Sequence, residues 1–151
     1  MQTSNTAVIL AAGLGSRLNS VSGFLPKPLV RFEGVPLLEH VMSGAKQAGI
    51  ERFVIVVGHQ GHMVRRWFAG SSLRATPVTW VENNEYQKKN GISLLKARNA
   101  VDQPFLLLMS DHIFEPNTAA CLLRQPLANN ETILGVDHKL DCIFDLDDAT
   151  K

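Results

Sequence analysis

The stretch TAVILAAGLGSRL, residues 6–18, is an unbroken apolar run that ends in a glycine loop and an arginine. Its β-branched residues favour a strand, and the lack of polar alternation means both faces are buried, as in the interior of a parallel sheet. Gly13 and Gly15 then let the backbone turn sharply and approach a neighbour or ligand closely, and the end of the loop can open a helix. Outward from this unit the pattern repeats. RFVIVVG (52–58) and PFLLLMS (104–110) are further continuous apolar strands, and TPVTWVE (76–82) alternates like a strand. Between them PLLEHVMSGAKQAGI (36–50), QGHMVRRWFAG (60–70) and GISLLKARNAV (91–101) have helical spacing, with Pro36 near a first turn and Gly49 and Gly70 as stops. NTAACLLRQ (117–125) reads as a short helix, and ETILGV (131–136) and DCIFDL (141–146) as strands. Strands alternating with helices predict an α/β layered fold with a mainly parallel sheet. Such sheets bind ligands beyond the carboxyl ends of their strands. Two features fall there: the Gly13–Arg17 loop after the first strand, and Asp111 after FLLLM.

Length and composition bound the rest. A chain of 151 residues, 45% hydrophobic and 19% charged, predicts one globular domain over residues 1–151. No apolar run approaches the ~18 residues of a membrane span, and the first residues lack the pattern of a signal peptide. The only cysteines, Cys121 and Cys142, form no CxxC pair, which points to reduced thiols and a cytoplasmic protein. Residues 1–75 carry eight Lys/Arg against three Asp/Glu, and the remainder seven against eleven. That asymmetry suits an anionic ligand held with a cation, and solvated surface charge accounts for it equally. No basic cluster is dense enough for nucleic acid.

The glycine loop excludes two standard phosphate motifs. A dinucleotide fingerprint needs a third glycine where Leu18 stands, and no GxxxxGK[ST] segment occurs. What remains is GLGSRL, whose successive N–H groups can cradle phosphate and whose Arg17 offers a planar fork of donors. An ordinary strand-to-helix turn explains a lone GxG as well. A few residues on, GFLPKPLV (23–30) sets Lys27 between Pro26 and Pro28. The prolines fix φ on both sides, and Pro28 biases Lys27 toward an extended backbone. A lysine so held loses less entropy when it points at a phosphate.

AVILAAGLGSRL followed by PKPLV resembles the signature of the sugar-phosphate nucleotidyltransferases. The resemblance implies a Rossmann-like three-layer αβα fold, GT-A-like, and a nucleotide site built from Leu10, Ala11, Ala12, Gly13, Gly15, Ser16, Arg17 and Lys27. NNEY followed by NGISLL, with LLLMSDHIF, is similar to the cytidylyltransferases that activate inositol 1-phosphate or phosphocholine. That likeness adds Asn90, Gly91 and Ser93 as nucleotide contacts and makes CTP the favoured nucleotide. It also makes Asp111 the ligand of a Mg²⁺ ion that bridges the nucleotide phosphates, with Arg17 and Lys27 as its catalytic companions. His112 stands where a DxD pattern would need a different arrangement, so it is read as a neighbour of the site and not a ligand. The second reactant implied is a small phosphorylated acceptor, with inositol phosphate, phosphocholine and sugar phosphates all open.

The resemblance covers nearly all of this chain but about the first two-thirds of the family domain. The C-terminal acceptor-binding part is therefore expected to be truncated, and a nucleotide-binding module without catalysis stays open beside the enzyme. Asp145, Asp147 and Asp148 are acidic residues from which a second metal ligand could come, or solvated turn charges. His59 and His62 read as exposed capping and surface groups, and Trp67, Phe68 and Trp80 as core.

Overall fold

The computed structural model describes residues 4–13 and 25–136. In chain order the elements are β1 (Thr6–Ala11), a short hairpin of β2 (Arg31–Phe32) and β3 (Val35–Pro36), α1 (Leu37–Gln47), β4 (Arg52–Val57) and α2 (Gly61–Gly70). Then follow β5 (Val78–Glu82), α3 (Asn90–Lys96), β6 (Leu106–Met109) and α4 (Pro116–Leu123). The main sheet has the order β5-β4-β1-β6, and each of its pairings is parallel. β1 therefore lies inside the sheet and all six of its residues are buried, as its uninterrupted apolar sequence requires.

Alternation along β1 and β4 divides the core into two layers. Ala7, Ile9 and Ala11, with Phe53, Ile55 and Val57, pack against Leu38, Val41 and Met42 of α1, Val64 and Phe68 of α2, and Ala119 of α4. Val8, Leu10 and Ala12, with Val54 and Val56, face the other way and meet Leu94 of α3 and Ala97 just beyond it. Helices on both faces give the three layers expected. Phe68 is core, while Trp67 and Trp80 pack partly buried against it, Trp80 edge-on to Phe68 at 5.6 Å.

α1 ends as its sequence predicts. Gly49 has φ +105°, its N–H donates to Lys46 O at 3.0 Å, and the Ile50 N–H donates to Ala45 O at 3.0 Å. This pair of bonds closes the helix through a left-handed residue that glycine adopts without a Cβ penalty.

A hairpin adds to the expected elements, and two local expectations are corrected. The β2–β3 hairpin turns through Glu33 (φ 49°) and Gly34 (φ 81°), and strands of two residues are too short to show a period. ETILGV is not a strand: residues 131–136 have no regular structure and are exposed, and no described strand pairs with them. Lys27 is not extended. It opens a 3₁₀ turn, Lys27–Leu29, closed by Leu29 N–H to Pro26 O at 2.8 Å and Val30 N–H to Lys27 O at 3.1 Å. Those bonds and the burial of Pro28 and Leu29 override the bias that Pro28 exerts on its predecessor. DCIFDL lies outside the described residues, as do Cys142, Asp145, Asp147 and Asp148. Among the described residues no helix is long and apolar enough to cross a membrane.

Candidate functional site

The carboxyl ends of β1, β4, β5 and β6 collect the residues that carry chemistry. At the end of β1, Ala11 and Ala12 are almost fully buried and Gly13 is exposed, with no described residue within 4 Å of where its Cβ would stand. The turn is held from two sides. Ser110 N–H donates to Leu10 O at 3.1 Å, extending the β1–β6 ladder, and His59 N–H donates to Ala12 O at 3.2 Å. Asp111 therefore emerges beside the alanine turn because the parallel register of β1 and β6 delivers it there.

Lys27 arrives from the proline-bracketed turn, and its ammonium forms an ion pair with Asp111 Oδ2. The Asp111 side chain is 12% exposed and that of Lys27 34% exposed, so the pair sits at the floor of the edge and not on open surface. His112 is 74% exposed with Nε2 3.9 Å from Asp111 Oδ1, beyond hydrogen-bond distance. Two residues remote in the chain thus meet as an anion and a cation next to the alanine turn. Gly15, Ser16 and Arg17 lie outside the described residues.

The Asn90–Gly91–Ser93 segment forms the start of α3. Asn90 and Gly91 are exposed, while Ser93 is 5% exposed and its Oγ accepts from Asn83 Nδ2 at 2.9 Å. Asn83 itself is 1% exposed, directly beyond β5, and its Oδ1 accepts the Glu85 N–H at 2.9 Å. Sequence reasoning missed Asn83. A single asparagine in a polar loop carries no signal of burial, although its place one residue beyond a strand was visible.

Gly58 and His59 were missed for a different reason. Gly58 follows an apolar strand, which marks it only as a turn. In the fold, a Cβ on Gly58 would stand 2.7 Å from Tyr86 Cβ and 2.9 Å from both Ala12 O and Asn83 O. His59 is half-buried, with its ring 5.7 Å from that of Tyr86, which corrects its reading as an exposed capping group. His62 is exposed as expected.

Glu85 braces the turn before α3. Its carboxylate pairs with Lys88 and, at 2.9 Å, with Lys96. The hydrogen bond from Lys88, followed by that from Lys96, lowers the Glu85 carboxyl from 4.5 to about 2. Its folded value lies below the unfolded one, so its contribution is full above pH 4.5 and is lost as pH falls from there towards 2. An NMR titration should place the Glu85 midpoint near 2, and Lys88→Ala should return it towards the ordinary carboxylate range. Because the group is exposed, added salt should shrink the effect.

The same end of the sheet suits a hard cation in one specific way. Among the described residues no three His, Cys, Asp or Glu side chains converge, so those residues build no all-protein cage. One carboxylate, Asp111, fits magnesium, which takes one or two carboxylates and completes its shell with phosphate oxygens and water. At the opposite end a cleft of 270 Å³ opens among Thr6, Arg52, Val78 and Asp102. Its lining residues bring together no comparable constellation.

The chain resembles known proteins along most of its length. The chain is 34% identical over 96% of its length to the 2-aminoethylphosphonate cytidylyltransferase of Lancefieldella rimae, of which it covers 58%. It superposes on the inositol-1-phosphate CTP transferase of T. maritima with a TM-score of 0.70 and 30% identity, over 78% of this chain and 47% of that one. A Mycobacterium tuberculosis protein solved as a complex with manganese aligns with a TM-score of 0.56 and 25% identity, over 78% of this chain and 56% of that one. The chain thus spans about half the length of the relatives it matches. Residues 7–141, from the first strand past the Asp111 edge, match the MobA-like NTP transferase domain, and it is to that family that the chain belongs.

Proposed function

We propose that this chain is the nucleotide-binding part of a magnesium-dependent cytidylyltransferase, which transfers CMP from CTP to a phosphorylated acceptor and releases pyrophosphate. The observation that carries the reading is the Lys27–Asp111 pair beside the Ala11–Gly13 turn. That edge offers one carboxylate for a cation, one ammonium for phosphate and a glycine turn open to a ligand. The named activities of the relatives, on 2-aminoethylphosphonate and inositol 1-phosphate, support a small phosphonate or phosphate-monoester acceptor.

In the proposed reaction an acceptor oxygen bonds to the α-phosphorus of CTP while the bond from that phosphorus to the pyrophosphate oxygen breaks. A phosphate monoester has its second pKa near ~6 and is largely dianionic at neutral pH, so no side chain need take a proton from it. The protein's contribution is positioning and charge. The Ala11–Gly13 turn receives the nucleoside, with Ser93 and the start of α3 on its other side. Lys27 steers the reacting phosphates and Arg17 neutralises the leaving pyrophosphate. Asp111 would hold magnesium, which when bound neutralises the nucleotide's phosphate oxygens and fixes their geometry.

The test is thermal unfolding of the 151-residue chain with each of ATP, CTP, GTP and UTP, in magnesium and again in EDTA. CTP with magnesium should raise Tm, and the stabilisation should grow with concentration as RT ln(1 + [L]/Kd), about 2.7 kcal/mol at a hundredfold excess over Kd. No shift with any nucleotide refutes nucleotide binding. A response to purine nucleotides and none to CTP refutes the cytidylyl assignment. Binding without pyrophosphate release on adding 2-aminoethylphosphonate or inositol 1-phosphate favours a nucleotide-binding module.

A further inference from the structure

The hydrogen bonds of Asn83 decide what Ser93 can do. Asn83 anchors three segments at once: its N–H donates to Val57 O at 2.8 Å, its Oδ1 accepts from the Glu85 N–H, and its Nδ2 donates to Ser93 Oγ. A backbone N–H can only donate, so the Glu85 contact fixes which end of the amide is oxygen, and the nitrogen must face Ser93. A serine hydroxyl carries one hydrogen. When its oxygen accepts from Nδ2, that hydrogen is directed elsewhere, and the hydroxyl is committed to donate. Ser93 lies on α3, whose Leu94 packs in the same layer as Leu10 and Ala12, so this donor sits on the side of the sheet that leads to the alanine turn.

We infer that Asn83 is a positioning residue for nucleotide binding. It holds the Ser93 hydroxyl as a donor, so the bound base must present an acceptor there, as cytosine does with O2 and N3. The inference rests on the nucleotide-binding reading of this site. The competing fate of the hydrogen is a bond to a carbonyl of the preceding helical turn, a common habit of serine in helices.

The experiment measures CTP affinity in magnesium by isothermal titration of the full chain. Its variants are Asn83→Asp, Ser93→Ala, Ser93→Thr and the double variant Asn83→Asp with Ser93→Ala. An aspartate keeps the bond from Glu85 N–H but turns the Ser93 hydrogen inward. Asn83→Asp and Ser93→Ala should each weaken CTP about tenfold, the worth of one hydrogen bond. The double variant should be no weaker than Ser93→Ala, and Ser93→Thr should bind as wild type. Wild-type affinity in Asn83→Asp, or a double variant that loses the product of the single losses, overturns the inference. If Asn83→Asp does not fold, the Ser93 pair decides: loss in alanine with retention in threonine supports the inference, and equal affinity in alanine overturns it. Failure of the wild type to bind any nucleotide defeats the nucleotide reading itself, whereas wild-type binding with indifferent variants defeats this inference alone.

Discussion

Asp111→Ala should bind CTP in magnesium no better than the wild type binds it in EDTA. The carboxylate is the one oxygen anion that the described residues place beside the alanine turn, and it is 12% exposed. Its removal takes away the proposed cation ligand and also strips Lys27 of its partner. In a form that turns over, pyrophosphate release should fall by on the order of 10²–10³, the scale of losing one preorganised electrostatic contact. Stability should change far less. Lys27 is a third exposed, so the lost pairing costs about 1 kcal/mol, not the several of a fully buried pair. Lys27→Ala should reproduce the loss of turnover, and its CTP binding should retain a response to magnesium. That difference separates the phosphate-steering role from the cation-holding one. An Asp111→Ala protein with undiminished magnesium-dependent binding would remove Asp111 from the site.

Gly58→Ala has the second large expected effect, and it acts through packing. The added methyl would come within 2.9 Å of two backbone carbonyl oxygens, Ala12 O and Asn83 O, and 2.7 Å of Tyr86 Cβ. Backbone atoms cannot swing aside as a flexible side chain does, so the end of β1 and the segment beyond β5 must separate. Overpacking of this kind costs about 1–3 kcal/mol. Here it also displaces both walls of the proposed nucleotide site, so CTP affinity should fall by more than stability alone explains. Gly91→Ala is the contrast: no described residue lies within 4 Å of its added Cβ, and in a helix alanine is favoured over glycine. Denaturant unfolding should show Gly58→Ala destabilised and Gly91→Ala at least as stable as wild type. Equal stability and affinity in Gly58→Ala would contradict the close approach.

How far the sequence could be read depends on which forces act locally. β1 and β4 were legible because strands buried on both faces must be apolar throughout, and β6 by its continuous apolar run, although Leu107 is 45% exposed. The end of α1 was legible because only glycine takes φ +105° there without strain. ETILGV misled because β propensity describes a residue's fit to a sheet and is silent about whether a neighbouring strand exists. The turn at Lys27 misled because two backbone hydrogen bonds and the burial of Pro28 and Leu29 outweigh a dipeptide preference. At the site, Asp111 was legible as a strand-end carboxylate and Lys27 as a proline-bracketed cation, but their pairing was not, since it depends on the β1–β6 register and the turn at Lys27. Gly58, His59 and Asn83 owe their importance to approaches between segments that are remote in sequence, and no spacing rule reports those.

The central claim is that a cytidine nucleotide seats at the carboxyl edge of the sheet, between the alanine turn and the Lys27–Asp111 pair. Titration of an isotopically labelled chain with CTP and magnesium, followed by assigned amide resonances, tests it directly. Perturbations should concentrate at Leu10–Gly13, Lys27, Ser93 and Asp111. Perturbations confined to Thr6, Arg52, Val78 and Asp102, around the cleft at the amino ends of the strands, would contradict it.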